Sequence, residues 1–196
     1  NCLFNPRVPH IHLNPLYQAI PELDPTKGGT LIGSSRDYVD PNKKDELDLI
    51  ASRLKYLGID GLICIGGDGT LNGLQPLAER LPTVLAPKTI DNDISGTDVT
   101  FGFDTALTTA TEALDRLHTT AEAHHRVMVL ELMGRDAGFI TLHSGVAGGA
   151  DVILIPEIPF KFDSVVAKVR ERVERGMLFS IIAISEGAKP EGGVQK

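Results

Sequence analysis

Pro87-Lys88-Thr89-Ile90-Asp91-Asn92-Asp93, read together with Gly66-Gly67-Asp68-Gly69-Thr70 just upstream, decides the fold. Each run follows a short apolar segment, Gly61 to Ile65 in one case and Pro82 to Ala86 in the other, that reads as a buried strand. Each therefore sits where a strand of an α/β sheet hands over to a loop, and such sheets bind ligands outside the carboxyl ends of their strands. The glycine run offers backbone for close approach to phosphates and one carboxylate for a metal. In the second run, an extended backbone would turn Thr89, Asp91 and Asp93 to one side and Ile90 and Asn92 to the other. Together the runs point to chemistry on a phosphoryl group.

Working outward, strands and helices alternate. Leu47, Ile50, Leu54 and Leu57 recur at helical spacing, and Gly58 is a natural stop. Gly61 to Ile65 is apolar at every position, as in a strand covered on both faces. A helix starting near Thr70 carries Leu71, Leu74 and Leu77 on one stripe. Another begins near Phe103, with Ala106, Leu107, Ala110, Leu114 and Leu117 inward. Arg126 to Leu132 reads as a strand, Ala137 to Ala147 as a helix ended by Gly148-Gly149, and Val152 to Ile155 as a strand. Asp163 to Arg175 reads as a helix with Val166, Val169 and Val173 inward and Gly176 as its stop. Leu178 to Ile184 is the last strand, delivering Ser185-Glu186-Gly187. Five strands separated by helices imply parallel, right-handed crossover units.

Residues 1 to about 26 read as loop, since Asn5-Pro6, Val8-Pro9, Asn14-Pro15, Ile20-Pro21 and Asp24-Pro25 interrupt any periodicity. His10 and His12 lie there without a third ligand nearby and read as solvated. The run from Gly28 to Arg36, with glycines and hydroxyls before an arginine, suits a loop around an anion, although such runs are also ordinary turns. A net charge of -7 without a basic block points away from nucleic acid and anionic membrane as partners. No apolar run is long enough to span a bilayer. Two cysteines, Cys2 and Cys64, make no disulfide framework, so a cytoplasmic location is expected. The opening Asn-Cys-Leu reads as the interior of a longer chain.

The Gly67-Asp68-Gly69-Thr70 turn can point amides at phosphate oxygens, with the following helix dipole assisting. No Gly-Lys-Ser/Thr follows, so it is not a Walker loop. The alternative is a tight turn with Asp68 as a local cap. Asp68 beside a phosphate needs a cation between them, which argues for magnesium held mostly through water and phosphate oxygens. Asp91 and Asp93 in isolation could merely cap turns. Converging with Asp68, however, they would repel unless a cation, Lys88 or a proton compensates, and one is then placed as a general base. Arg126 and Arg135 flank one strand, and arginine at a strand end suits a phosphate clamp; the alternative is a surface ion pair with Glu131 or Asp136. His124 and His125 read as solvent-facing or interface residues rather than ligands.

Ile65-Gly-Gly-Asp-Gly-Thr70, Pro87-Lys-Thr-Ile-Asp-Asn-Asp93, Gly96-Thr-Asp, Arg126 and Met133-Gly-Arg135 closely resemble the 6-phosphofructokinase family, in matching order from about Gly28 to Glu186. The glycine run alone would also fit NAD kinases and diacylglycerol kinases, which lack the later pieces. The resemblance implies an α/β fold of parallel sheets with helices on both faces and two Rossmann-like lobes. Residues 1–102 would form the nucleotide lobe, lacking its N-terminal strand, and 103–196 the sugar-phosphate lobe, incomplete at its C-terminus. It implies that Asp91 removes the proton from the C1 hydroxyl of fructose 6-phosphate and that Arg135 stabilises the transferring phosphoryl group. Thr89, Ile90, Asp93, Met133, Gly134 and Glu186 would contact the sugar or metal-bound phosphate. Arg126 would reach the 6-phosphate in a neighbouring subunit, so a homo-oligomer, dimer or tetramer, is implied. Arg36, Gly67, Gly69, Thr70 and Lys88 would hold the donor phosphates, and Asp68 the Mg2+.

In this family a carboxylate in place of Gly69 favours pyrophosphate, whereas glycine leaves room for ATP; Lys88, common in pyrophosphate enzymes, is compatible with either. ATP is the expected donor, with pyrophosphate or a non-catalytic regulatory subunit as the alternatives. His118 and Met177-Leu178-Phe179 stand where bacterial members place basic effector-binding groups, so control by ADP or phosphoenolpyruvate at that site is not expected.

Overall fold

A computed structural model describes Thr26, Gly28, Gly29, Val39, Asp40 and residues 42–193. The expectations for His10, His12 and Arg36 lie outside these residues. The chain divides into two compact units, Asn1–Ala86 and Pro87–Lys196.

In the first unit, α1 (Lys44–Tyr56) precedes β1 (Leu62–Gly66), α2 (Asp68–Ala78) and the start of β2 (Thr83–Thr89). Leu47, Ile50 and Leu54 recur at helical spacing and bury one face of α1. They form a core with Val39 and Leu77, against which Ile59, Leu62, Leu74 and Leu81 pack. Gly58 ends α1 at φ +70°, a conformation that glycine adopts without a Cβ penalty.

The sheet order is β1-β2-β3, where β3 is only Phe101–Gly102, paired parallel with Lys88 and Thr89 of β2. Sequence reading misses β3 because two residues carry no periodicity. It also stops β2 at Ala86, yet the strand runs on through Pro87 and Lys88 to Thr89. A proline's fixed φ is compatible with extended backbone, and it forfeits only one donor in the ladder.

In the second unit, β3 leads into α3 (Phe103–His124), then β4 (Val127–Leu132), α4 (Phe139–Ala147), β5 (Val152–Leu154), α5 (Phe162–Glu174) and β6 (Ser180–Ser185). The second sheet is parallel throughout, in the order β4-β6-β5, as expected from the alternation of elements. β6 is central and almost wholly buried. Leu114, Ala121, Ile181 and Ala183 form one core cluster, with Met128 and Leu130 of β4 packed on it. Phe103, Ala110 and Ile140 form another, joined by Ile90, Ala106 and Leu132. Inside α4 the Thr141 hydroxyl is buried, the one such side-chain atom without a hydrogen-bond partner among the described residues.

Two expectations about burial are corrected. On β1, Ile63 and Ile65 are 78% and 66% exposed, and Val127 and Val129 of β4 are exposed as well, so both strands show alternating burial. None of the residues of α5 is buried, and Val166 and Val173, expected inward, are exposed. Apolar patterning tells which face of an element seeks cover, not what arrives to cover it. What fastens α5 is polar. Arg172 pairs with Asp151 at 2.7 Å and donates to the Ser180 hydroxyl at 3.2 Å.

Candidate active site

Each unit contributes its own candidate residues. In the first, β1 ends at Gly66 and α2 begins at Asp68, with Gly67 as its N-cap, two residues earlier than the sequence pattern indicates. Thr70 and Leu71 both donate their amides to the Gly67 carbonyl, at 2.9 and 3.1 Å. The strand therefore turns into the helix at once, and the helix presents its N-terminus at the strand's carboxyl end. A Cβ on Gly66 would overlap the Thr70 side chain, whereas one on Gly69 would meet nothing within 4 Å. Gly66 is thus required by internal packing, and Gly69 leaves its space open to a ligand. One oxygen of Asp68 accepts from the Asn72 amide at 2.9 Å. No group of three potential ligand side chains lies together among the described residues. Asp68 fits Mg2+ only as a single protein oxygen, with phosphates and water completing the shell, an arrangement that this cation favours.

In the second unit the site assembles where β2, β4 and β6 end. The expectation that Thr89, Asp91 and Asp93 align by strand alternation is corrected. β2 stops at Thr89, and Asn92 takes a left-handed conformation at φ +56°. The Asn92 side chain accounts for this turn: its Oδ1 accepts from the Thr100 amide at 2.8 Å, which ties the loop back to the start of β3. The buried Thr100 hydroxyl in turn donates to the Thr89 carbonyl at 2.8 Å.

The residues still meet, by turning rather than by alternation. The Thr89 hydroxyl donates to Asp91 Oδ2 and accepts the Asp91 amide, both at 3.3 Å. Partial burial, chiefly, raises the Asp91 carboxyl above its ordinary range, and the neighbouring negative charges of Asp93, Glu186 and Asp136 add to it. The bond from Thr89 opposes them. Three carboxylates therefore act on Asp91 here, and Asp136 is the one without a site assignment from the sequence. Its only signal is adjacency to Arg135. Ile90 sends its side chain into the Phe103–Ala110–Ile140 cluster.

Residues Met133 to Arg135 leave β4 beside the exit of β6, because Leu132 and Ser185 are register partners. The Glu186 amide donates to the Leu132 carbonyl at 2.9 Å, and the Gly187 amide to the Gly134 carbonyl at 3.1 Å. Any Cβ on Gly187 would overlap the Arg135 carbonyl. Arg135 and Glu186 are exposed, and Met133 is 57% exposed. Lys88, near the end of β2, is exposed too. Arg126 is not part of this cluster. It precedes β4, whose six residues hold it roughly 20 Å from the strand's other end.

The family model described as phosphofructokinase matches residues 22–196. An ATP-dependent 6-phosphofructokinase 2 of Clostridium perfringens is 54% identical, with 85% of this chain and 49% of the relative covered. A pyrophosphate–fructose 6-phosphate 1-phosphotransferase of Amycolatopsis mediterranei is 53% identical, with 87% of this chain and 50% of the relative covered. Among solved structures, the phosphofructokinase of Saccharomyces cerevisiae superposes with a TM-score of 0.71 at 32% identity, over 84% of this chain and 26% of the yeast chain. The chain spans about half the length of the curated relatives it matches. The parallel α/β architecture, the placement of the carboxylate and glycine runs at strand ends and the match over nearly the whole chain agree: this chain belongs to the phosphofructokinase family.

Proposed function

We propose that the protein containing this chain transfers the γ-phosphoryl group of ATP to the C1 hydroxyl of fructose 6-phosphate, giving fructose 1,6-bisphosphate and ADP. The observation that carries this reading is Asp91: it lies in the turn just after β2, its carboxyl is raised in pKa by burial and neighbouring carboxylates, and Thr89 hydrogen-bonds it. A carboxylate of this kind takes up a proton more readily than a solvated one, as a general base must. Asp91 accepts the C1 hydroxyl proton as that oxygen attacks the γ-phosphorus, and the bond to the β-bridging oxygen breaks. Arg135 offsets the charge on the transferring group, so catalysis is positioning plus electrostatic stabilisation.

Thr89, Asp93, Met133, Gly134 and Glu186 orient the sugar. The start of α2, from Gly67 to Thr70, takes the donor phosphates, aided by Lys88. Mg2+ on Asp68 would neutralise donor phosphate charge and polarise the transferring group. In this reading residues up to 102 form the nucleotide lobe, with Thr89, Asp91 and Asp93 reaching the sugar from its end, and those from 103 form the sugar-phosphate lobe. Arg126, held at the opposite end of β4, serves the 6-phosphate in a neighbouring subunit of a homo-oligomer. No helix among the described residues is long and apolar enough to cross a membrane, which is compatible with a cytoplasmic enzyme. Pyrophosphate is the second reading for the donor, supported by Lys88 and by the name of the Amycolatopsis relative.

The test is Asp91→Asn in the full-length protein, which keeps the shape but removes the base. We expect kcat to fall by about a hundredfold or more with little change in KM for fructose 6-phosphate. A variant with near-parental kcat would remove Asp91 from the mechanism.

A further inference from the structure

The turn that carries Arg135 is held from two sides by residues without a catalytic assignment. From β6, the Ser185 hydroxyl donates to the Gly134 carbonyl at 2.6 Å, and Ser185 is 1% exposed. Gly134 itself has φ +137°, and a Cβ there would lie 2.6 Å from both the Ser185 hydroxyl and the Ala137 carbonyl. The serine oxygen thus fills the place of a side chain at 134 and sets the peptide leading into Arg135. From the segment after β5, Glu157 Oε1 accepts the Gly138 amide at 2.8 Å, at the N-cap of α4. A Cβ on Gly138 would meet Ile155 at 2.5 Å and Glu157 Oε2 at 2.8 Å, so the carboxylate lies tight against the backbone. A carboxylate at a helix N-terminus is favoured by the helix dipole, and this one leaves the chain between Gly134 and Gly138 fixed at both ends.

We propose that Ser185 and Glu157 are positioning residues that hold the Arg135 turn in its reactive geometry, an inference that rests on the role given to Arg135 above. Neither needs to touch substrate. An arginine acting on a developing charge depends steeply on placement, so a small displacement lowers turnover without removing the sugar or the nucleotide. Other bonds remain when either one is lost: the Gly134 carbonyl keeps the Gly187 amide, and the first turn of α4 keeps the bond from the Leu142 amide to the Gly138 carbonyl.

The experiment uses full-length protein bearing Ser185→Ala, Glu157→Ala or Glu157→Gln. Either alanine variant should lose about tenfold or more in kcat with KM for ATP within about twofold of the parent. Glu157→Gln, which retains an acceptor for the Gly138 amide, should recover most of the loss. Parental kcat in both alanine variants, or equal losses in Glu157→Gln and Glu157→Ala, would overturn the proposal. Amide exchange at Gly138 and Gly187 provides a readout independent of turnover. It should quicken there in the alanine variants and stay unchanged elsewhere, and unchanged exchange at both amides would also refute the clamp. A parent protein that does not phosphorylate fructose 6-phosphate would defeat the functional reading instead, leaving the clamp to be judged on exchange.

Discussion

The carboxylate of Asp151 meets the guanidinium of Arg172 at 2.7 Å with one oxygen and accepts the Ile181 amide at 2.9 Å with the other. Both side chains are mostly buried, at 13% and 17% exposure, and Arg172 also lies over the Phe179 ring with 6.0 Å to its centroid. The pair joins three elements: the entry to β5, the entry to β6 and the last turn of α5. Because no apolar residue of α5 is fully buried, this polar contact stands in for the apolar packing that usually fastens a helix to a sheet.

Breaking the pair on one side should therefore cost more than a surface ion pair would. Asp151→Ala strands the arginine and deprives the Ile181 amide of its acceptor, at a cost of about 2–4 kcal/mol. Urea unfolding of the full-length protein would measure the loss, and amide exchange should rise selectively over residues 162–174. A cost below about 0.5 kcal/mol would mean that α5 is secured in some other way.

Asp91 should weaken the fold at neutral pH. Its carboxyl is raised above the unfolded value near 3.9 by burial, Asp93, Glu186 and Asp136. The native state therefore holds that proton more tightly than the unfolded state. The stabilisation from this group is complete below the unfolded pKa and is lost as pH rises through the raised folded value. Asp91→Asn should match the parent in stability in acid, gain on it as pH rises from the unfolded pKa through the raised folded value, and keep a constant advantage above that, although it impairs turnover. Denaturation midpoints for both proteins across a pH series test this, and a parent that gained on the variant with rising pH would contradict the sign.

Thr141 is a site for stabilisation without functional cost. Its hydroxyl is buried within α4 and has no partner, so replacing it with a methyl removes an uncompensated desolvation. Thr141→Val should raise stability by about 1 kcal/mol, visible as a higher midpoint in thermal or urea unfolding, with kinetic constants unchanged. A destabilised variant would indicate that a bound water satisfies the hydroxyl in solution.

Donor choice can be read at position 69. A Cβ there would point into open space, so Gly69→Asp should fold normally, and its effect should fall on the ligand. With ATP as donor, repulsion between the new carboxylate and nucleotide phosphate should lower kcat/KM about tenfold or more, with pyrophosphate less affected. Assays of the full-length parent and variant with both donors test this. A parent that uses pyrophosphate and ignores ATP would reverse the weight given to Gly69 over Lys88.

The glycine turn after β1, the stops at Gly58, Gly148-Gly149 and Gly176, and the alternation of strand and helix were all legible in the sequence. They depend on interactions within a few residues: backbone sterics, helix ends and the periodicity of apolar side chains. The parallel pairing followed from strands being separated by helices. The tertiary structure decided whatever depends on residues far apart in the chain. β3 exists because Phe101 and Gly102 meet Lys88 and Thr89, and the left-handed turn at Asn92 exists because Thr100 returns to bond it. Asp136 joins the field around Asp91 from a distant part of the chain, and Ser185 reaches Gly134 because β4 and β6 are register partners, although 51 residues separate the two. The exposure of Val166 and Val173 is of the same kind. A sequence records which face of a helix is apolar, while burial is settled only by the neighbours that folding brings to it.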